Sequence, residues 1–179
     1  MGKQGPVIAI DGPSGVGKTT VSRLLAQRLG YRYVNTGAMY RAMALAARDA
    51  GVDLNSDAEL ARFCSGAKAR YDYEKGAVIL NDRDYSADVS TQLAGELASI
   101  VSLKKSVREF LVAFQRELGH GGCVVMEGRD IGTVVFPDAD AKFFLDAPHE
   151  VRAKRRHKEE AAKEGATGPE VSARSMERD

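Results

Sequence analysis

No stretch of this sequence approaches the ~20 apolar residues of a membrane span, and the start, Met1-Gly2-Lys3-Gln4-Gly5-Pro6, lacks the apolar core of a secretion signal. A cytoplasmic protein without a membrane partner is expected. Cysteine is scarce: Cys64 and Cys123 lie too far apart for a metal knuckle or redox pair. Both read as ordinary reduced thiols, with Cys123 expected in the core at the edge of Val124-Val125-Met126. A charge excess is missing too, since 26 Lys and Arg stand against 25 Asp and Glu, without the basic surplus that marks nucleic-acid-binding domains. The histidines, His120, His149 and His157, have no metal-binding or general-base spacing, and no internal repeat or low-complexity tract occurs. What remains is ordinary for a globular α/β domain: 179 residues, 44% hydrophobic and 28% charged, enough for one full core and a small inserted lobe.

The informative stretch comes early. Val7-Ile8-Ala9-Ile10 reads as a buried strand, Asp11-Gly12-Pro13-Ser14-Gly15-Val16-Gly17 as a turn, and Lys18-Thr19-Thr20 opens a helix with apolar spacing at Val21, Leu24, Leu25 and Leu29. Gly12-x4-Gly17-Lys18-Thr19 fits the phosphate-binding pattern G-x-x-x-x-G-K-[ST]. Glycines let successive backbone N–H groups converge on one concavity, and the helix start adds unpaired donors and its positive dipole end. Lys18 supplies a point charge for the outer phosphates, and the Thr19 hydroxyl suits a magnesium shell. The order Gly12, Gly15, Gly17 is G-x-x-G-x-G, which a dinucleotide fingerprint does not allow. Gly12, Pro13, Ser14, Gly15, Val16, Gly17, Lys18, Thr19 and Thr20 are therefore the candidate donor site, with Thr19 the candidate metal ligand.

Further along, Gly30 stops the first helix, Tyr31–Val34 is a short strand, and an alanine-rich helix runs from about Thr36 to Ala50, capped by Asn35 or Thr36. The texture changes between Val52 and Leu118: a helix at Asp57–Cys64, three short strand-like pieces at Tyr71–Tyr73, Ala77–Leu80 and Asp84-Tyr85, and helices at Ser90–Val101 and Leu103–Leu118. These pieces do not continue a parallel sheet, so residues 52–118 read as an inserted lobe. Buried-strand texture returns at Cys123–Met126 and Ala141–Asp146, and Pro148 opens a charged helix to about Glu164. Four such strands, with the phosphate loop after the first, predict a doubly wound parallel sheet that binds ligands at its carboxyl edge. The expected division is a core of 1–51 and 119–150, the insertion 52–118, and a lid region 151–179.

Phosphoryl transfer needs positive charge around the moving group. Arg152, Arg155 and Arg156, at i, i+3 and i+4, share one helical face, which suits either a phosphate or plain solvent. Arg129 stands just past a buried strand beside Asp130. For Arg41, ligand and surface readings are level.

Asp11–Lys18, Thr36-Gly37-Ala38-Met39-Tyr40-Arg41, Gly128-Arg129-Asp130-Ile131-Gly132-Thr133-Val134-Val135-Phe136-Pro137, Phe144–Ala147 and Arg152-x-x-Arg155-Arg156 follow one another in an order that resembles the bacterial cytidylate kinases, P-loop nucleoside monophosphate kinases. The resemblance implies a P-loop NTPase-type sheet with helices on both faces, a monophosphate-binding lobe and a lid, ATP and Mg2+ as cofactors, and CMP and dCMP as acceptors. It implies Thr36 near the pyrimidine and Ser99, Arg108 and Asp130 reading cytosine. Arg41 and Arg129 would hold the acceptor phosphate, and Tyr40 falls in the same substrate block. Lys18, Arg129 and Arg156 would be catalytic, with Arg152 and Arg156 on ATP. A carboxylate at Asp130 can accept the cytosine amino group, and facing the carbonyl of uracil it would be left unpaired. Against the family pattern, Arg178-Asp179 matches only the start of a substrate-binding R-D-x-x-D-x-x-R. The lid therefore reads as truncated and the last core strand as missing, which predicts a bare sheet edge. A monomer is expected. A GTPase-type switch would need N-K-x-D, which is absent. Shikimate kinase is a second alternative, opposed by the insertion and the Gly128–Pro137 block.

Overall fold

A computed structural model describes residues 5–155. Strands β1 (Val7–Asp11), β2 (Arg32–Asn35), β6 (Val124–Gly128) and β7 (Ala141–Phe144) form one parallel sheet in the order β2-β6-β1-β7. Between them run α1 (Lys18–Leu29), α2 (Thr36–Asp49), α3 (Asp57–Gly66), the antiparallel sheet β3-β4-β5 (Ala69–Asp72, Ala77–Leu80, Arg83–Asp84), α4 (Gln92–Val101) and α5 (Lys105–Gly119). A further helix occupies 149–155. The described boundaries fall within a few residues of the sequence expectation, and the expected end of the last helix near Glu164 lies outside the described residues.

Side-chain alternation explains why every residue of β1 and β6 is buried. Val7, Ala9, Val34, Val124 and Met126 join the larger apolar cluster with α2, α3, α4 and α5, while Ile8, Ile10 and Val125 join a smaller one with Ala26, Leu25 and Tyr33. Helices thus cover both faces. α2 lies deepest, burying Met39, Ala42, Met43, Ala44, Leu45, Ala46 and Ala47, and its many alanines permit close approach. Its cap is Asn35, whose side-chain oxygen accepts from the Ala38 N–H at 3.1 Å.

Two expectations are corrected. The apolar stripe of α1 is only partly its inner face: Leu25 packs against the smaller cluster, but Val21, Leu24 and Leu29 are exposed, and the fully buried residues are Ser22 and Ala26. The phosphate loop fixes how α1 leaves the sheet, so its inner face lies close to the strands and small side chains occupy it. Cys123 is only half-buried, in a left-handed turn (φ 49°) ahead of β6. Cys64 is the core thiol, pushed up to about 11 by burial.

In register, Asp11 stands opposite both Gly128 and Phe144, and Asn35 opposite Glu127. All four strands therefore finish on one edge, from which the phosphate loop, the start of α2 and the Arg129-Asp130 loop emerge. β2 and β7 are the outer strands among the described residues, and Phe143 and Phe144 of β7 are 53% and 70% exposed. No described helix is long and apolar enough to cross a membrane.

Candidate active site

The phosphate loop is built on left-handed glycines. Gly12 has φ 148° and Gly15 φ 78°, and a Cβ would lie 2.2 Å from the Leu145 carbonyl oxygen at the first and 2.7 Å from that of Arg152 at the second. No side chain caps α1, so its first amides stay available to an anion. The Lys18 ammonium donates to the Gly12 and Pro13 carbonyls, both at 2.7 Å, and so lies across its own loop. Ser14 is half-buried, Val16 buried and Thr20 exposed.

Beside the loop lies a group that the motif did not reveal. The Thr19 hydroxyl donates at 2.8 Å to Glu127 Oε1, the oxygen that also accepts from the Tyr33 hydroxyl. Glu127 is 2% exposed, and among the described residues its Oε2 has no partner. Burial raises the Glu127 carboxyl above the ordinary range, against the lowering pull of Tyr33, Thr19 and Lys18. Burial and the adjacent Glu127 likewise raise the Tyr33 phenol, keeping it a donor. A hydroxyl and a buried carboxylate with one unspent oxygen form a hard-donor set that fits magnesium. The sequence signal for Glu127 was its place as an acid at the end of a buried strand.

At the loop after β6, Arg108 of α5 donates from Nη2 to Asp130 Oδ2 at 2.6 Å. This bond holds the guanidinium above its ordinary value. Tyr40 of α2 feels both charges, though burial is the main cause of its raised phenol. Three elements thus bring Tyr40, Arg108 and Asp130 together. Arg129 stands exposed on the same loop.

Other candidates are engaged differently. Buried Thr36 donates its hydroxyl to the Glu127 carbonyl at 2.8 Å, joining α2 to β6. Arg41 donates to the Val89 carbonyl at 2.9 Å, and Ser99 to the Gly95 carbonyl of its own helix. Arg152 Nε donates to the Ala147 carbonyl, while Arg155 reaches the phosphate loop at the Val16 carbonyl, 2.9 Å away. Arg156 and Arg178 lie outside the described residues.

A parallel sheet whose first strand runs into a lysine-bearing phosphate loop and a helix gives the chain a P-loop NTPase-type fold. The family model described as Cytidylate kinase matches residues 8–179, and the chain belongs to that family. It is similar to the cytidylate kinases of Citrifermentans bemidjiense and of Geobacter sp. strain M21, each 48% identical over 180 residues, 99% of this chain and 77% of the relative. That of Geobacter sulfurreducens is 47% identical over 173 residues, 96% of this chain and 72% of the relative.

Proposed function

We propose that the chain transfers the γ-phosphoryl group of ATP to CMP and dCMP. The observation that carries the reading is the Arg108–Asp130 pair beside Tyr40, on the strand edge that also bears the phosphate loop. Asp130 accepts the cytosine amino group, and the Arg108 guanidinium holds that carboxylate in place. A uracil carbonyl in the same place would face a carboxylate with nothing to donate.

The backbone N–H groups of Gly12 and of Ser14–Thr20 hold the donor phosphates, and Lys18 leaves the loop carbonyls to follow negative charge onto the outer phosphate. Arg41 and Arg129 grip the acceptor phosphate, while Arg152 and Arg156 close over ATP. The assignment of Thr36, Ser99 and Arg178 to the nucleoside side rests on the family pattern. An oxygen of the CMP phosphate forms the new bond to the γ-phosphorus as the bond to the β–γ bridging oxygen breaks, and ADP leaves with that electron pair. Thr19 and Glu127 would hold magnesium, which neutralises phosphate charge when bound. No side-chain nucleophile is needed, because orientation supplies most of the acceleration.

Within this reading 1–51 and 119–150 form the core, 52–118 the monophosphate-binding lobe and 151–179 the lid region. The protein acts as a cytoplasmic monomer without nucleic-acid or membrane partners. A coupled assay of ADP release with ATP and each nucleoside monophosphate tests the proposal. CMP and dCMP should turn over well ahead of UMP and AMP; preference for AMP, or for shikimate, would overturn it.

A further inference from the structure

Asp11 closes β1 and immediately precedes Gly12, and its carboxylate bonds to the loop that follows β6. Only 7% exposed, it accepts the Ile131 N–H on Oδ1 and the Gly132 N–H on Oδ2, both at 2.8 Å. These amides open the π-helical turn Ile131–Val135, directly after Arg129 and Asp130, and that turn has no side-chain cap of its own at Asp130. Arg116 of α5 holds the other end, donating to the Val135 and Val134 carbonyls at 3.1 and 2.8 Å. The Asp11 carbonyl also accepts from the Leu145 N–H beyond β7 at 2.8 Å.

One residue therefore joins the exits of three neighbouring strands. A neutral side chain could cap a turn with one acceptor. A buried carboxylate using both oxygens fixes orientation as well as distance, and charge-assisted bonds are the stronger kind. We propose that Asp11 is a positioning residue that sets the separation and angle between the donor phosphate loop and the Arg129-Asp130 acceptor loop. Its loss would let the two substrates drift apart without loosening either alone. In-line transfer is sensitive to such drift, a misplacement of about 1 Å costing on the order of 10²-fold.

This inference rests on the proposed CMP kinase reading, which the wild-type assay tests first: a wild type inactive on CMP defeats that reading before any variant is made. Given activity, Asp11→Asn keeps the side chain's size but turns an NH2 group toward one of the two amide donors. Its kcat should fall about 10- to 100-fold. Separate dissociation constants for CMP and for ATP, by calorimetry, should stay within about threefold, while affinity for a bisubstrate compound, cytidine and adenosine joined through a polyphosphate, should drop about tenfold or more. A lower melting temperature with unchanged kcat and bisubstrate affinity would reduce Asp11 to a cap and overturn the inference, as would a rise in one substrate's KM alone. Should Asp11→Asn fail to fold, Arg116→Gln releases the exposed end of the same turn. It should show the same split in weaker form, and wild-type kcat and bisubstrate affinity in that variant would equally overturn the inference.

Discussion

Glu127 is the residue where burial and charge oppose each other most directly. Desolvation raises its carboxyl, and the hydroxyls of Tyr33 and Thr19 with the Lys18 ammonium recover only part of the shift. In the folded chain the proton is therefore held to higher pH than in the unfolded chain. Its contribution to stability is complete below the ordinary carboxylate range and is lost as pH rises through the raised value. Ligand holding needs the ionised form. Metal-ion affinity of the chain should accordingly climb with pH over an interval that begins above the ordinary carboxylate range. Glu127→Gln should remove that pH dependence of metal binding and lower activity about 10- to 100-fold. An unchanged pH dependence in the variant would take Glu127 out of the site. Lys18 and Thr19 were legible because the phosphate-loop motif is local. Glu127 was not, because its bond to Thr19 spans 108 positions and only the β1–β6 pairing brings the two together.

At the scale of elements, β6 meets α2 and the π-helical turn at a single glycine. A Cβ at Gly128 would lie 2.6 Å from Ile131 Cδ1 and 2.7 Å from Thr36 Oγ1. Gly128→Ala should therefore push the turn and the α2 start apart at a cost of about 1–3 kcal/mol. Each kcal/mol corresponds to a fall of about 2–4 °C in Tm for a chain of this size. Because the proposed reading puts the displaced segments on the acceptor side, KM for CMP should rise while KM for ATP changes little. Thermal melts and two-substrate kinetics check both halves, and a matched rise in both KM values would place the damage elsewhere. Strand and helix positions were readable from periodicity, but which side of α1 meets the sheet was not. Hydrophobic spacing reports that a face exists. The close approach imposed by the phosphate loop selected Ser22 and Ala26 over Val21 and Leu24. The π-helical turn had no sequence signal either, since its caps, Asp11 and Arg116, come from distant segments.

Across the whole molecule, the strand order carries the function. Placing β1 between β6 and β7 puts the phosphate loop next to the Arg129-Asp130 loop, and α5 then delivers Arg108 onto Asp130. One apolar cluster continues from the parallel sheet through α2 into α3, α4, α5 and the small antiparallel sheet. Packing of residues 52–118 is thereby coupled to the strand edge at which the proposed transfer would take place. Both the architecture and the family were legible because their motifs are contiguous blocks at strand ends, while the contacts between blocks emerged only with the fold. The most direct test is a structure of the chain with CMP and a non-hydrolysable ATP analogue. The cytosine amino group should lie on Asp130 and the CMP phosphate between Arg41 and Arg129, with Lys18 turned from the Gly12 and Pro13 carbonyls onto the analogue's phosphates. A pyrimidine bound away from Asp130, or Arg41 and Arg129 directed away from the space beside Lys18, would contradict the account.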